Sequence, residues 1–414
     1  MSTRKEKIPI VRFRAFSEPW FQNQLSEVAE FSKGRGYSKK AIQPQGTPII
    51  LYGRLYTKYE SVISNIDTYA NMEKNSVISE GGEVIIPASG ESAAEISRAS
   101  CVTDGGVILG GDINIVKPHE NLDPSFIAIT LSNGSQQREL SKRAQGKSVV
   151  HLHNSDLKAV KLFYPSYEEQ SAIGSLFRTL DDLLASYKDN LINYQALKAT
   201  MLSKMFPKAG QTVPEIRLNG FDGEWEVQSL KELASFSKGN GYTKSDLVNS
   251  GNEIILYGQL YTNYQTVISM VNTFVLETRE KSVISKGGEV VVPASGESAE
   301  DISRASVIEK SGVIIGGDLN IIYPDENKVD SIFLALTISN GSQQKELIKR
   351  AQGKSVVHLR NNDLEKVILH YPSMEEQQAI GSYFSNLDNL INSYQEKITQ
   401  LETLKKKLLQ DMFI

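Results

Sequence analysis

The 414 residues include 45 Lys and Arg against 49 Asp and Glu, giving a formal net charge of −4 and a pI of about 5.9, which argues against a protein that grips a polyanion over its whole surface. With 40% hydrophobic and 23% charged residues the composition is that of a soluble globular protein, and no apolar run approaches the roughly 20 residues that span a bilayer. The opening MSTRKEKIPIVRF has no apolar stretch of signal-peptide length, so a cytoplasmic protein is expected; the single cysteine, Cys101, excludes an internal disulfide and reads as a buried structural thiol.

In chain order, IPIVRFRAFSEPW (Ile8 to Trp20) precedes a region, about Val28 to Val160, of short β-branched runs bounded by Gly, Pro, Asn and Asp. VIIPAS, GVILGG and INIV predict strands there. The spacing of Phe126, Ile127, Thr130, Leu131 and Leu140 predicts one helix over about Pro124 to Arg143, and a second, short helix starts at Asn154 with Leu157 and Val160 inward. Strands and helices do not alternate, which disfavours a parallel dinucleotide-type sheet. From about Tyr167 to Met205 there is no proline and one glycine, Gly174. Ile173, Leu180, Tyr187, Tyr194 and Met201 recur every seven positions, with Phe177, Leu184, Leu191 and Met205 along a second stripe, as in a long helix packed on a like partner.

The whole series then recurs. GRGYSK (Gly34 to Lys39) returns as GNGYTK (Gly239 to Lys244), shifted by 205 positions. Ser76 to Ser100 returns from Ser282 with 20 of 25 letters identical, and Asn133 to Leu152 returns from Asn340 with 18 of 20 identical. The seven-residue stripe reappears as Ile380, Leu387, Tyr394, Leu401 and Leu408. A period near 207 residues is a domain and not a solenoid unit. The expected fold is α+β: two similar β-rich domains, 1–164 and 208–371, joined by two long antiparallel helices, 165–207 and 372–414, with an internal pseudo-twofold.

The motifs of catalysis are missing. PASGES (Pro87 to Ser92, again Pro293 to Ser298) lacks the G-x-S-x-G elbow, and the five histidines show no metal-ligand spacing. There is no P-loop; GGDIN (Gly110 to Asn114) and GGDLN (Gly316 to Asn320) read as tight turns. PDENK (Pro324 to Lys328) resembles a nuclease motif faintly, but its counterpart PHENL has lost the acid and the lysine. No N/D-P-P-Y/F sequence for a flipped adenine occurs.

Each long helix opens with P-x-x-x-E-Q-x-x-I-G-x-x-F-x-x-L-D-x-L, in PSYEEQSAIGSLFRTLDDLL (Pro165 to Leu184) and PSMEEQQAIGSYFSNLDNLI (Pro372 to Ile391). Each β-rich domain opens with P-x-x-R-F/L, in IPIVRFRAFSEPW and VPEIRLNGFDGEW. Over essentially all 414 residues this arrangement resembles the specificity subunit of a Type I restriction-modification system. The resemblance implies a non-catalytic chain whose two target-recognition domains each read half of a bipartite duplex DNA site. It implies helices that set the gap, two methyltransferase subunits that bring S-adenosylmethionine and methylate adenine, and restriction subunits that can join. No cofactor is expected in this chain. A coiled-coil scaffold that does not bind DNA and a self-sufficient DNA-modifying enzyme are the alternatives.

DNA-contact candidates follow from residue chemistry. Phosphates suit the basic clusters Arg138, Lys142, Arg143 and Lys147, and Lys345, Lys349, Arg350 and Lys354. Base edges suit paired donors and acceptors in polar or Gly-rich loops. In the first copy these are Arg35 and Tyr37; Tyr52, Arg54, Tyr56 and Lys58; Ser89, Glu91 and Ser92; and Gln145 and Ser148. In the second they are Asn240 and Tyr242; Tyr257, Gln259, Tyr261 and Asn263; Ser295, Glu297 and Ser298; and Gln352 and Ser355. Near-identical domains under a twofold predict like half-sites, an interrupted palindrome. Arg54 against Gln259 is where that symmetry could fail, since Arg favours guanine and Gln adenine; if these residues touch only phosphate, the palindrome survives.

Overall fold

The β-branched runs of the first copy form a five-stranded sheet in the order Val62–Ile63, Ser100–Val102, Glu83–Pro87, Ile113–Pro118, Ala29–Lys33. All neighbours are antiparallel except Val62–Ile63, which runs parallel to Ser100–Val102. Successive side chains of the central strand point to opposite faces: Val84 and Ile86 enter one core with Phe126 and Ile127, while Ile85 enters another with Ile50, Leu55 and Leu109. Burial on both faces explains why the strand reads as an unbroken apolar run. Helix Pro124–Leu131 covers one face. A four-stranded sheet containing Thr47–Ile50 and Ile108–Leu109 contributes to the other.

The structure, a computed structural model, describes residues 8–146, 148–353 and 356–414. Contacts divide the chain into two units, Met1–Lys188 with Glu396–Ile414, and Asp189–Gln395. The second unit repeats the sheet of the first, with Glu289–Pro293 between Ser306–Ile308 and Leu319–Pro324.

The single helix expected over 124–143 is two, Pro124–Leu131 and Gly134–Arg143. Ser132 Oγ donates to Ala128 O at 2.8 Å and accepts from Ala99 N at 2.7 Å, and Gly134 adopts φ +64°, so the chain turns before the second helix starts. Helix Asn154–Lys158 lies where expected.

The long helices run Tyr167–Lys204 and Met374–Asp411, 38 residues each. The unit division cuts both at mid-length, so each unit holds part of each helix. In the first unit Ile173, Phe177, Leu180 and Leu184 are buried, and the segment after Glu396 runs back along them. Lys188 pairs with Glu402 at 2.6 Å, Asp181 with Lys405, and the Phe177 ring lies 5.9 Å from that of Phe413. Numbers rise on one helix as they fall on the other, so the pairing is antiparallel. In the second unit Asp388 pairs with Lys198, and Tyr194 stacks on Tyr394 at 5.5 Å.

Candidate nucleic-acid interface

Three strand ends create the site. Lys33, at the end of Ala29–Lys33, lies opposite Asn114, and Pro87, at the end of Glu83–Pro87, lies opposite Ile113, the first residue of its strand. The segments 34–38, 88–92 and 110–112 therefore emerge at the same end of the sheet. Gly110 N donates to Ile50 O at 3.0 Å, which puts the turn 51–57 beside them. Ser89–Gly90 pairs with Val150–His151, and Gln145 and His151 exchange backbone bonds of 3.0 and 2.7 Å, which brings Gln145 and Val150–His151 to the same end. The second unit assembles the same end: Gly316 N donates to Ile255 O at 2.9 Å, Ser295 faces His358, and Gln352 and His358 exchange bonds of 3.1 and 2.8 Å.

Close backbone contact locks this end. A Cβ on Gly34 would stand 2.0 Å from Gly110 O, and Gly111 N donates to Gly36 O at 2.7 Å. Tyr37 sits at φ +58°, a left-handed conformation that a bulky residue adopts only when its surroundings impose it. Its hydroxyl supplies the constraint, donating to Asn71 O at 3.1 Å and accepting from Glu73 N at 2.9 Å. Tyr242 repeats this at φ +57° with Glu277 O and Arg279 N.

Several candidates from the sequence are spent on internal structure. Tyr37 and Tyr242 are the loop anchors just described. Ser89 and Ser295 are buried in short strands that pair with Val150–His151 and Val357–His358. Ser92 and Ser298 cap short helices, accepting from Glu95 N and Asp301 N. Arg143 and Arg350 bond glutamates one turn back on their own helices, Glu139 at 2.8 Å and Glu346 at 2.6 Å. Arg138 is exposed and lines a cleft of about 910 Å³ beside Asp181 and Lys405, between helix Gly134–Arg143 and the long helices of its unit. Lys147, Lys354 and Ser355 lie outside the described residues. Left open at the sheet end are Arg35, Glu91, Gln145 and Ser148, with Glu297, Asn263 and Gln352 in the second unit, where Asn240 is exposed but donates to Lys281 O at 2.9 Å; Lys142, Lys345 and Lys349 are exposed on their helices.

Tyr52 and Tyr56 form a half-buried pair with ring centroids 6.2 Å apart, repeated by Tyr257 and Tyr261 at 6.3 Å. Burial, then the neighbouring Tyr52 and the carboxylates of Glu95 and Glu91, push the Tyr56 hydroxyl above its ordinary pKa, so it remains a hydrogen-bond donor at neutral pH. Cys101 is buried and its thiol is pushed up to about 12, chiefly by burial, which leaves it inert. Among the described residues no group of His, Cys, Asp or Glu is placed to hold a metal, and no helix is long and apolar enough to cross a membrane.

Arg54, the residue on which the symmetry of the two halves was expected to turn, faces inward. Its guanidinium donates to Glu60 Oε2 and Asp67 Oδ1 at 2.7 Å each and to Asn65 O at 2.8 Å, with the side chain 9% exposed. Lys58 adds a bond to Asp67 at 2.9 Å, which leads the causes holding that carboxyl below its usual range. In the second unit all four charges vanish together, as Gln259, Asn263, Gln265 and Asn272. Gln259 is likewise turned inward, accepting from Leu256 N at 2.8 Å and donating to Thr273 Oγ1 at 2.7 Å. One neutral set replaces another, so Arg54→Gln is expected to cost about 1–2 kcal/mol by leaving two acids short of a partner, without altering any sequence the chain reads. Comparing the methylated motif before and after the change checks this; a new base in the motif would return Arg54 to base readout.

Two functional signals were not drawn from the sequence. Arg12 of the P-x-x-R-F stretch and Glu169 of the E-Q motif form one bidentate ion pair, both bonds 2.7 Å, with Glu169 only 1% exposed. Arg217 and Glu376 repeat it. Gln170 completes the join by donating to Pro165 O at 2.9 Å and accepting from Asp123 N at 3.0 Å. Both motifs were visible twice; that they bind each other was not. The second signal, Arg279, stood out only once the loop it flanks was seen.

A family profile described as the Type I restriction modification DNA specificity domain matches residues 17–194 and 222–403, once in each repeat. The chain belongs to this DNA specificity family. A specificity-family relative, the Type I restriction enzyme MjaVIII specificity subunit of Methanocaldococcus jannaschii, is 20% identical over 406 residues, 95% of this chain and 91% of that protein. The crystal structure of a Type I restriction-modification S subunit from M. genitalium shares the fold, with a TM-score of 0.61 at 15% identity, covering 98% of this chain and 99% of that one. Membership makes this a DNA-recognition chain of a Type I restriction-modification complex and not a catalytic one; neither the scaffold nor the self-sufficient enzyme is favoured.

Proposed function

We propose that each unit reads one half of a bipartite DNA site and that the two halves are alike, an interrupted palindrome. The observation that carries this reading is the sheet end itself, built twice with Tyr52 and Tyr257, Tyr56 and Tyr261, Glu91 and Glu297, Gln145 and Gln352, and His151 and His358 unchanged. Gln has the donor–acceptor pair that adenine requires, and Glu accepts from the exocyclic amine of cytosine. Lys142, Lys345 and Lys349 would neutralise phosphates and carry no sequence information.

In this reading the long helices bind two methyltransferase subunits, with restriction subunits able to join. S-adenosylmethionine belongs to those partners, which methylate one adenine in each half-site. A shared clamp also accounts for the acidic pI, because the charge that holds DNA need not all come from one subunit. Sequencing of modified bases in a host carrying the complete system should show methylated adenine in two inverted, identical half-sites around a fixed gap. An asymmetric motif would overturn the palindrome.

A further inference from the structure

The copies also differ at the loop that follows strand Ala29–Lys33. Arg35 is exposed there in the first unit, and its counterpart Asn240 is tied down, donating to Lys281 O at 2.9 Å. The second unit has an arginine at the same loop by another route. A Cβ on Gly241 would lie 3.5 Å from Arg279 Nη1, as one on Gly36 would lie 3.9 Å from Glu73 Oε2, the group at the matching position. Arg279 stacks over the Tyr242 ring at 4.3 Å and pairs with Asp246 at 2.5 Å, yet leaves 52% of its side chain open to solvent. Asp246 stands where the first copy has Ala41. Each loop therefore carries one arginine and one acid, Arg35 with Glu73 nearby and Arg279 with Asp246, drawn from positions that the repeat does not match.

We propose that Arg35 and Arg279 perform one task from different points of the chain: each contacts a backbone phosphate of its own half-site. The inference rests on the DNA-reading function proposed above. Phosphate is favoured over a base for a geometric reason. A guanidinium that reads guanine must approach in the plane of the base with its fork aligned to O6 and N7, and an arginine arriving on a different stem would lose that alignment. A phosphate accepts donors from a wide range of directions, so a cation can move along the sequence and keep its role if it stays in place. The left-handed Gly36-Tyr37 and Gly241-Tyr242 pairs hold both loops in one shape and thus fix that place.

The test uses the full chain assembled with its methyltransferase partner, a duplex bearing the motif mapped in the host, and a scrambled duplex. Arg35→Ala and Arg279→Ala should each weaken binding to both duplexes alike, on the order of eightfold at 0.1 M salt, and flatten the slope of log K against log salt by about 0.9, with the methylated motif unchanged. The triple variant R35N/A41D/E73R, which gives the first unit the second unit's arrangement, should bind as tightly as the native chain. A changed motif would assign the arginines to bases, and an unaltered affinity, or a triple variant as weak as R35A, would end the equivalence. If the native complex neither retards a duplex nor methylates a defined motif, the DNA-reading function itself fails, a separate result.

Discussion

Replacing Arg12 by alanine should destabilise the first unit by about 3–5 kcal/mol, and Arg217→Ala should do the same to the second. Glu169 and Glu376 are each only 1% exposed, and their arginines supply two bonds apiece. The attraction runs both ways: the Glu169 hydrogen bond is the largest of the causes that raise the Arg12 pKa. Truncating the arginine leaves a buried carboxylate with no cation, which costs far more than a surface ion pair is worth. Denaturant unfolding of the full chain would show the loss. The double variant Arg12→Ala/Glu169→Gln should regain much of it, since the amide carries no charge to strand; a double variant as unstable as the single one would assign the effect to lost packing. The join matters for function because Arg12 also donates to Glu18 O, tying the entry of the β-rich region to the root of the long helix.

The second large effect is expected from one methyl group. Gly34→Ala places a Cβ 2.0 Å from Gly110 O, and ordinary contact begins near 3.4 Å, so a backbone segment at the sheet end must move by more than an ångström. Overpacking of this kind costs about 1–3 kcal/mol in stability. The cost to recognition is larger, because loop 34–38 and turn 110–112 part from each other at the surface that would meet DNA. Each base contact put out of reach costs about 1–3 kcal/mol, and two of them lower affinity on the order of a hundredfold. Binding by the assembled complex should therefore collapse while thermal unfolding shifts only modestly. Native affinity in Gly34→Ala would show that the end of the sheet does not meet DNA. Gly239→Ala, with its Cβ 1.9 Å from Gly316 O, provides the same test in the other half.

The sequence disclosed architecture better than contacts, for physical reasons. The seven-residue spacing of Ile173, Leu180 and their successors is a local signal for a long helix, and the proline-free stretch from about Tyr167 begins where the helix does. The break between Leu131 and Gly134 was hidden, since Phe126 to Leu140 keeps a helical apolar spacing across it and the cause is a distant bond from Ser132 to Ala99. Within the site, the gathering of five loops depends on strand register, which pattern alone does not supply. Ser92 looked available because hydroxyls bind bases, but a serine three residues before Glu95 is also the signature of a helix cap, and that is how it is used. Arg54 misled for a similar reason. Its partners Glu60 and Asp67 were in view, and their joint disappearance in the second copy was the available clue.

That joint disappearance also bears on how the gene can change. Long stretches of near-identity invite exchange between the two halves, and most exchanges would swap equivalent residues at no cost. A crossover falling between codons 54 and 67 would not: it would set Arg54 among Gln265 and Asn272, or leave Glu60 and Asp67 facing Gln259, and either hybrid carries uncancelled charge in a turn that both parents keep neutral. Such junctions should be rare among natural recombinants of this sequence, while junctions on either side of the turn are tolerated.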